Sequence, residues 1–287
     1  MSSSSAAPPE FQKILDSWRP APETVRGELC LWPAEALAGL LGGQAPELGA
    51  DLPPLWYEVY LRRPRPVAEL GPDGHAFADA LVPPLAQRRR MFGGGRITIH
   101  QPLRLGETAA RKSSVKGIRV RKGRSGWLLM VTELHEFSVD GVDRVSEDRD
   151  IVYRLAADVS RHGEASSHSQ AATGQRVLEL DVDERLLFCF SALTYNAHRI
   201  HYDRRFTIDV EGHPDLLVHG PLLALGAIEA ARRVGGRDIS SVTYRLVSPS
   251  YPTAPVTFFV DGAEAAATTV VGAQDGVAKV EAALTWR

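Results

Sequence analysis

The sequence has little cysteine, almost no net charge and no long apolar run, and each shortage removes a class of function. Cys30 and Cys189 are its only cysteines. Far apart and in apolar surroundings, they read as reduced core residues rather than a disulfide framework. The formal charge of −2 at pH 7 argues against a dedicated nucleic-acid binder, a class that is basic overall. No apolar stretch approaches the roughly 20 residues a spanning helix needs, so no membrane partner is expected. MSSSSAAPPEF (1–11) lacks the basic and apolar regions of a secretory signal and reads as a frayed tail, so a cytoplasmic location is the expectation.

What is present points to a folded α+β chain. With 287 residues, 44% hydrophobic and 24% charged, it can bury its own core as two ordinary domains or one large one. FQKILDSW (11–18) predicts a short helix stopped by Pro20 and Pro22, and TVRGELCL (24–31) a possible strand. Pro33 starts a further helix with Gly42-Gly43 just past its end, proline first and glycine last. The region 44–95 is rich in Pro and Gly, with PPLWYEVYL (53–61) its one helix candidate.

From Arg96 the pattern turns to strands. RITIH (96–100), TAARKSSVKGIRVRK (108–122), WLLMVTELHEFSV (127–139) and VSEDRDIVYR (145–154), separated by short Gly-containing turns, predict an antiparallel meander. The second of these carries Arg111, Lys112, Lys116, Arg119, Arg121 and Lys122; its followers carry Glu133, Glu136, Glu147, Asp148 and Asp150. Two readings stand: cross-strand pairing on a solvated face, or a basic patch for the phosphates of a nucleotide-like ligand.

ADVSRHGEASSHSQAATG (157–174) is small and polar and reads as a linker. Beyond it come a strand at RVLELDV (176–182), a loop over 188–218 and the helix LLALGAIEAARR (222–233), which opens at Gly220-Pro221. That helix is apolar on nearly every face and therefore buried. Arg232 and Arg233 suit its negative end, and Gly235-Gly236 caps it. A second meander follows. ITIHQPLRLGETA and VTYRLVSPSYPTA form a weak repeat at a period of about 145 residues, too long for a solenoid. The expected organisation is an N-terminal unit 1–156, a linker 157–174 and a C-terminal unit 175–287. The long buried helix belongs to the second unit and has no clear equivalent in the first, which places the chemistry in the second.

That chemistry concentrates in FCFSALTYNAHRIHYDRRFTIDVEGHPDLLVHGPLL (188–223), which holds His198, His201, His213 and His219. A polar segment feeding a buried helix meets unpaired N–H groups and a partial positive charge. His213 reads as structural, and Tyr195 and Tyr202 as packing more than chemistry. His219 either caps the helix or orients substrate. Asp203 either orients His198 or an arginine, or serves as an acid. His198 and His201 have no cysteine or acid at a recognisable ligand spacing, so no metal is expected.

FSALTYNAHRIHYDRRF followed by LLVHGPLLA resembles the motif of the MaoC-like, (R)-specific enoyl-CoA hydratases and dehydratases. More narrowly it is similar to their tandem double-hotdog branch, which includes mesaconyl-C4-CoA hydratase, itaconyl-CoA hydratase and 3-hydroxyacyl-thioester dehydratase. PPLWYEVYL, RRMFGGGRITIHQPLRLGE and EDRDIVYR also resemble that branch, so the likeness spans about 50–287. It implies a double hotdog, two curled antiparallel sheets each wrapped on a helix, with the first unit non-catalytic and shaping the acyl pocket. It implies a hydro-lyase that adds or removes water across an α,β-unsaturated acyl-CoA thioester, of a short branched dicarboxylyl type, and a homodimer without cofactor. The alternatives are a 3-hydroxyacyl-ACP dehydratase and a non-catalytic acyl-thioester-binding subunit.

Laid on this sequence, the resemblance puts the catalytic histidine at His201 and the acid position at Asn196, where the wider family has aspartate. Asn196 exchanges no proton at neutral pH but can orient a water or hydroxyl. Histidine can take and return a proton, and the Gly220 N–H at the helix start is the expected oxyanion donor. Tyr195, His198, Arg199, His219 and Arg96 are the expected substrate-binding residues, the two arginines as partners for a substrate carboxylate.

Overall fold

The computed structural model describes residues 6–76, 80–85, 88–123, 126–155, 173–263 and 265–287, so all but the last two residues of the expected linker lie outside it. The first half runs α1 (Pro9–Ser17), β1 (Glu23–Glu28), α2 (Leu31–Leu40), a 3-10 turn at Trp56–Val59, β2 (Arg88–Ile99), β3 (Thr108–Gly123), β4 (Gly126–Val139) and β5 (Val142–Leu155). The second runs β6 (Gln175–Leu180), α3 (Glu184–Leu193), α4 (Arg204–Asp209), α5 (Gly220–Gly235), β7 (Ile239–Leu246), β8 (Val256–Asp261), β9 (Ala267–Gln274) and β10 (Val277–Trp286). These strands form one ten-stranded sheet ordered β1-β3-β4-β5-β2-β7-β10-β9-β8-β6. The two halves of the weak repeat meet in it, because β2 and β7 open the two meanders and pair with each other.

In the second half α5 lies in the curl of the sheet, with Leu222 to Ala231 all buried. A Cβ at Gly226 would overlap the Phe258 ring, so glycine there sets how closely helix and sheet approach. Gly236 closes the helix at φ 58°, the left-handed cap its sequence predicts. Arg233 donates to Leu41 O at 2.8 Å and ties the end of α5 to the end of α2. Cys30 and Cys189 are free, but both are exposed rather than in the core. Cys30 is the residue before α2, and α3 turns Leu186, Leu187, Phe190 and Ser191 inward and Cys189 out.

Among the described residues of the first half no long helix lies in the curl of the sheet. The buried 3-10 turn Trp56–Val59 covers the inner face instead, flanked by Leu55 and Leu61 at φ 66° and 52°. That face is banded. Phe137 and Val145 pack at one end, and Leu129, Val131 and Ile151 at the other. Between them on the same strands lie Arg111, Ser113, Glu133, His135, Glu147 and Arg149. The charges of the first meander therefore divide between its two faces. Lys112–Glu136, Lys116–Asp148 and Arg96–Asp150 pair outward, as a solvated face requires, whereas Glu133, Glu147 and Arg149 are buried.

The halves also meet through a turn at 71–76. Arg199 N donates to Asp73 O at 2.8 Å, and Arg199 Nη1 donates to Pro72 O at 2.8 Å. Gly74 sits at φ 88°, and a Cβ there would overlap the carbonyl of Ala197. Strain and overpacking coincide, so Gly74→Ala is expected to lose roughly 1–3 kcal/mol of stability. Urea unfolding of the full chain checks this, and an unchanged midpoint would show that the contact is slack.

Candidate active site

The segment expected as a loop over 188–218 is largely ordered into short helical pieces. Asp183 Oδ1 accepts from Leu186 N at 2.9 Å and starts α3. The chain leaves α3 through Tyr195 at φ 50°, and Asn196 N donates to Ser191 O at 2.8 Å. A 3-10 turn at Arg199–His201 follows, then α4, where Asp203 Oδ1 accepts from Phe206 N at 2.9 Å.

This path brings His198, His201 and His219 together. His201 donates from Nδ1 to Leu217 O at 2.8 Å, which fixes the tautomer and leaves Nε2 as an acceptor. The His201 ring stacks on His219 with centroids 3.6 Å apart and planes at 19°. His219 precedes α5, and its Nε2 lies 2.8 Å from Ser191 Oγ; its Nδ1 is buried without a partner. His198 stands edge-on to His201 at 5.6 Å. On its other side, at 3.9 Å, is the ring of His75 from the first half. His75 Nδ1 in turn donates to Asp73 Oδ2 at 3.1 Å.

Burial sets the charge state of this row. It pushes His201 down to about 4, although the Leu217 carbonyl pulls the other way. Burial also holds His198 and His219 well below the ordinary histidine value, and repulsion from neighbouring imidazoles lowers each further. His75 is lowered too, mainly by burial. For Asp73, burial raises the pKa, but hydrogen bonding and charge from His75 outweigh it and the net shift is downward. Near neutral pH the row is therefore a stack of uncharged imidazoles. Asp73, His75 and His198 bring three ligand-type atoms within 4.8 Å of one another, a grouping that spacing within either half could not reveal. The Asp73–His75 hydrogen bond already engages two of the three residues.

The other expected site residues fall at different distances from this chemistry. Gly220 opens α5 beside His219, where the helix's first N–H groups lack intrahelical partners. A Cβ at Gly220 would overlap Leu246 and lie 2.8 Å from Phe92 Cδ1. Glycine is thus required by packing between two apolar side chains, not by an open approach. Asn196 spends Oδ1 on His198 N at 3.0 Å, which leaves its Nδ2 donors. Tyr195 is 51% exposed and donates from its hydroxyl to Arg65 O at 3.1 Å. His213 meets the Tyr251 hydroxyl at 3.3 Å, away from the row.

The two arginines expected at a substrate carboxylate both meet acids of this chain. Arg96 points to the outer face, where Asp150 at 2.7 Å and Asp148 at 3.4 Å hold it. Arg199 is held by Asp203 at 2.6 Å and lies 4.1 Å over the Phe206 ring. Both guanidiniums are thus paired within the chain. Asp203 caps a helix and orients an arginine and thus has no place as the acid. Sequence reasoning missed Asp73 and His75, which lie in the Pro/Gly-rich region; the Pro72-Asp73-Gly74-His75 turn was the one available signal.

Comparison with known proteins identifies the family of the chain. Residues 56–252 match the family described as hydroxyacyl-thioester dehydratase type 2. The chain is 38% identical over 244 residues to mesaconyl-C(4)-CoA hydratase of Chloroflexus aurantiacus, covering 83% of this chain and 86% of the relative. It is 24% identical over 237 residues to the mitochondrial hydroxyacyl-thioester dehydratase type 2 of Schizosaccharomyces pombe, covering 72% and 76%. In fold it is similar to a MaoC-like dehydratase from Phytophthora capsici, with TM-score 0.64, 14% identity and coverage of 96% and 97%. A Mycobacterium tuberculosis protein described as a double hotdog aligns with TM-score 0.59, 13% identity and coverage of 97% and 98%. With this fold and these relatives, the chain is a double-hotdog hydro-lyase of acyl thioesters and belongs to the hydroxyacyl-thioester dehydratase type 2 family.

Proposed function

We propose that the chain hydrates a short dicarboxylyl-CoA thioester of the mesaconyl-C4 type, and dehydrates the hydroxyacyl product in reverse, with His201 as the acid–base group. The observation that carries the catalytic part is the state of His201: neutral, buried, held through Nδ1 by the Leu217 carbonyl and bare at Nε2. The 38% identity to a mesaconyl-C(4)-CoA hydratase across 83% of the chain supports the substrate class. A homodimer, which the resemblance implies, and a cytoplasmic location complete the reading.

The steps follow from these groups. Nε2 of His201 takes a proton from water as the water oxygen bonds to the β-carbon, and the double-bond electrons move toward the thioester carbonyl. The Gly220 N–H, at the positive end of α5, stabilises the enolate oxygen. The imidazolium then delivers its proton from Nε2 to the α-carbon, so one water has been added and His201 is neutral again. Burial helps both halves of this cycle. It keeps the base unprotonated at working pH, and it makes the transient imidazolium a strong acid that gives its proton back. The Nδ2 donors of Asn196 hold the water oxygen or the product hydroxyl, a role that needs no titration.

His201→Gln is expected to lower kcat with mesaconyl-C4-CoA by roughly 10²–10⁴-fold while the fold survives. Loss of enoyl-thioester absorbance measures the rate and circular dichroism the fold. A folded variant within a few-fold of the wild-type rate would remove His201 from the reaction.

A further inference from the structure

The polar band inside the first half has more guanidinium than carboxylate. Glu58 pairs with both Arg62 and Arg149, Glu147 pairs with Arg149 at 2.9 Å, and Glu133 faces Arg90 at 3.8 Å. His135 reaches Glu133 at 3.3 Å and Ser113 at 2.8 Å, and burial lowers its pKa, so it adds no charge near neutrality. Four arginines, Arg62, Arg90, Arg111 and Arg149, thus face three carboxylates. The unmatched one is Arg111, which makes no ion pair with an acid among the described residues and whose Nε is buried without a partner. Burial first, then repulsion from Arg62 and Arg149, pulls it down to about 10 against the attraction of Glu58 and Glu147. Arg111 as a whole is half-buried, and a guanidinium shielded from water at Nε is ordinarily met by an anion.

Arg111 also opens onto a cleft that reaches the catalytic segment. Arg62, Arg111, Ser113 and His135 line it from the first half, and Thr194 and Tyr195, next to Asn196, line it from the second. Glu23 stands at the same cleft but is held by Arg63 at 2.8 Å. At the other end of the band, Arg90 lies close enough to influence both His75 and His198. The band therefore runs from the imidazole row to Arg111.

We propose that Arg111 is a specificity-determining residue: its guanidinium binds the free carboxylate at the far end of a dicarboxylyl thioester, the anion that the polar band lacks. The inference rests on the dicarboxylyl reading above and assigns its charged end to a residue of the first half. A carboxylate fits the planar donor fork of arginine, and one such group balances the one excess charge. An uncharged acyl chain would leave Arg111 desolvated and unpaired, so the same residue disfavours it.

The test compares kcat/KM for mesaconyl-C4-CoA with that for crotonyl-CoA, which lacks the carboxylate, in wild type, R111M and R111K. The ratio is expected to fall about 10²-fold in R111M, as for loss of a charge-assisted bidentate contact. R111K, which keeps the charge without the fork, should retain more of the preference. The thermal midpoint of R111M should equal or exceed the wild-type value, because a half-buried charge without an acidic partner has been removed. An unchanged ratio would overturn the proposal. So would equal losses on both substrates with a lowered midpoint, or failure of both variants to fold, since these mark a structural arginine. A wild type without preference for mesaconyl-C4-CoA overturns the substrate reading itself, and that failure is visible before any variant is made.

Discussion

The pairing of β2 with β7 is the constraint on which the rest of the molecule depends. It runs from Gly94↔Arg245 to Thr98↔Ser241 and makes the two half-sheets one. The Phe92-Gly93-Gly94-Gly95 run makes that junction possible. Gly94 lies at φ 147°, and a Cβ there would overlap the Tyr244 carbonyl. A Cβ at Gly95 would lie 2.6 Å from the Tyr244 hydroxyl and 2.7 Å from the Asp148 carbonyl. The glycines therefore serve close packing of three strands. With the junction in place, the turn carrying Asp73 and His75 reaches the catalytic segment, and Tyr244 from the second half reaches Glu147 in the first at 3.0 Å.

Desolvation then sets the chemistry on both sides of the junction. On one side it removes charge: four imidazoles shielded from water stay neutral, and one keeps a bare nitrogen beside a helix N-terminus. On the other it concentrates charge, because the buried Glu58, Glu133, Glu147 and Arg149, with half-buried arginines around them, interact strongly. Where the second half holds its long helix, the described part of the first half holds a polar interior, and it also carries the outer part of the histidine row.

How far the sequence revealed this depends on whether each signal is local. The helix at Gly220–Gly235 was legible because its apolar residues, its Pro221 start and its Gly236 cap all lie within it. His201, His198 and His219 were legible as a group because one continuous segment carries them. α3 was not recognised, although Asp183 before Glu184-Arg185-Leu186 is a usable N-cap signal. His75 could not be placed, since its turn meets His198 across more than 120 residues of sequence and only through tertiary contacts. The charges of β3 and β4 were visible, but alternation alone does not say which face is inward. Thus Lys112 and Glu136 pair in solvent while Arg111 and Glu133 point inside. Arg96 and Arg199 drew attention through nearness in sequence to the motifs, and both proved to be occupied by acids of this chain.

The central claim is that a histidine kept neutral by burial performs the proton transfers of hydration, and the pH profile of kcat/KM tests it most directly. The base works only when unprotonated, and burial lowers His201 to about 4, so the active form persists well into the acid range. Hydration of mesaconyl-C4-CoA by the wild-type chain should hold kcat/KM level from about pH 8 to about pH 5. An acid limb centred at or above about 6.5, the ordinary histidine value, would show that the base is solvated and would contradict the account.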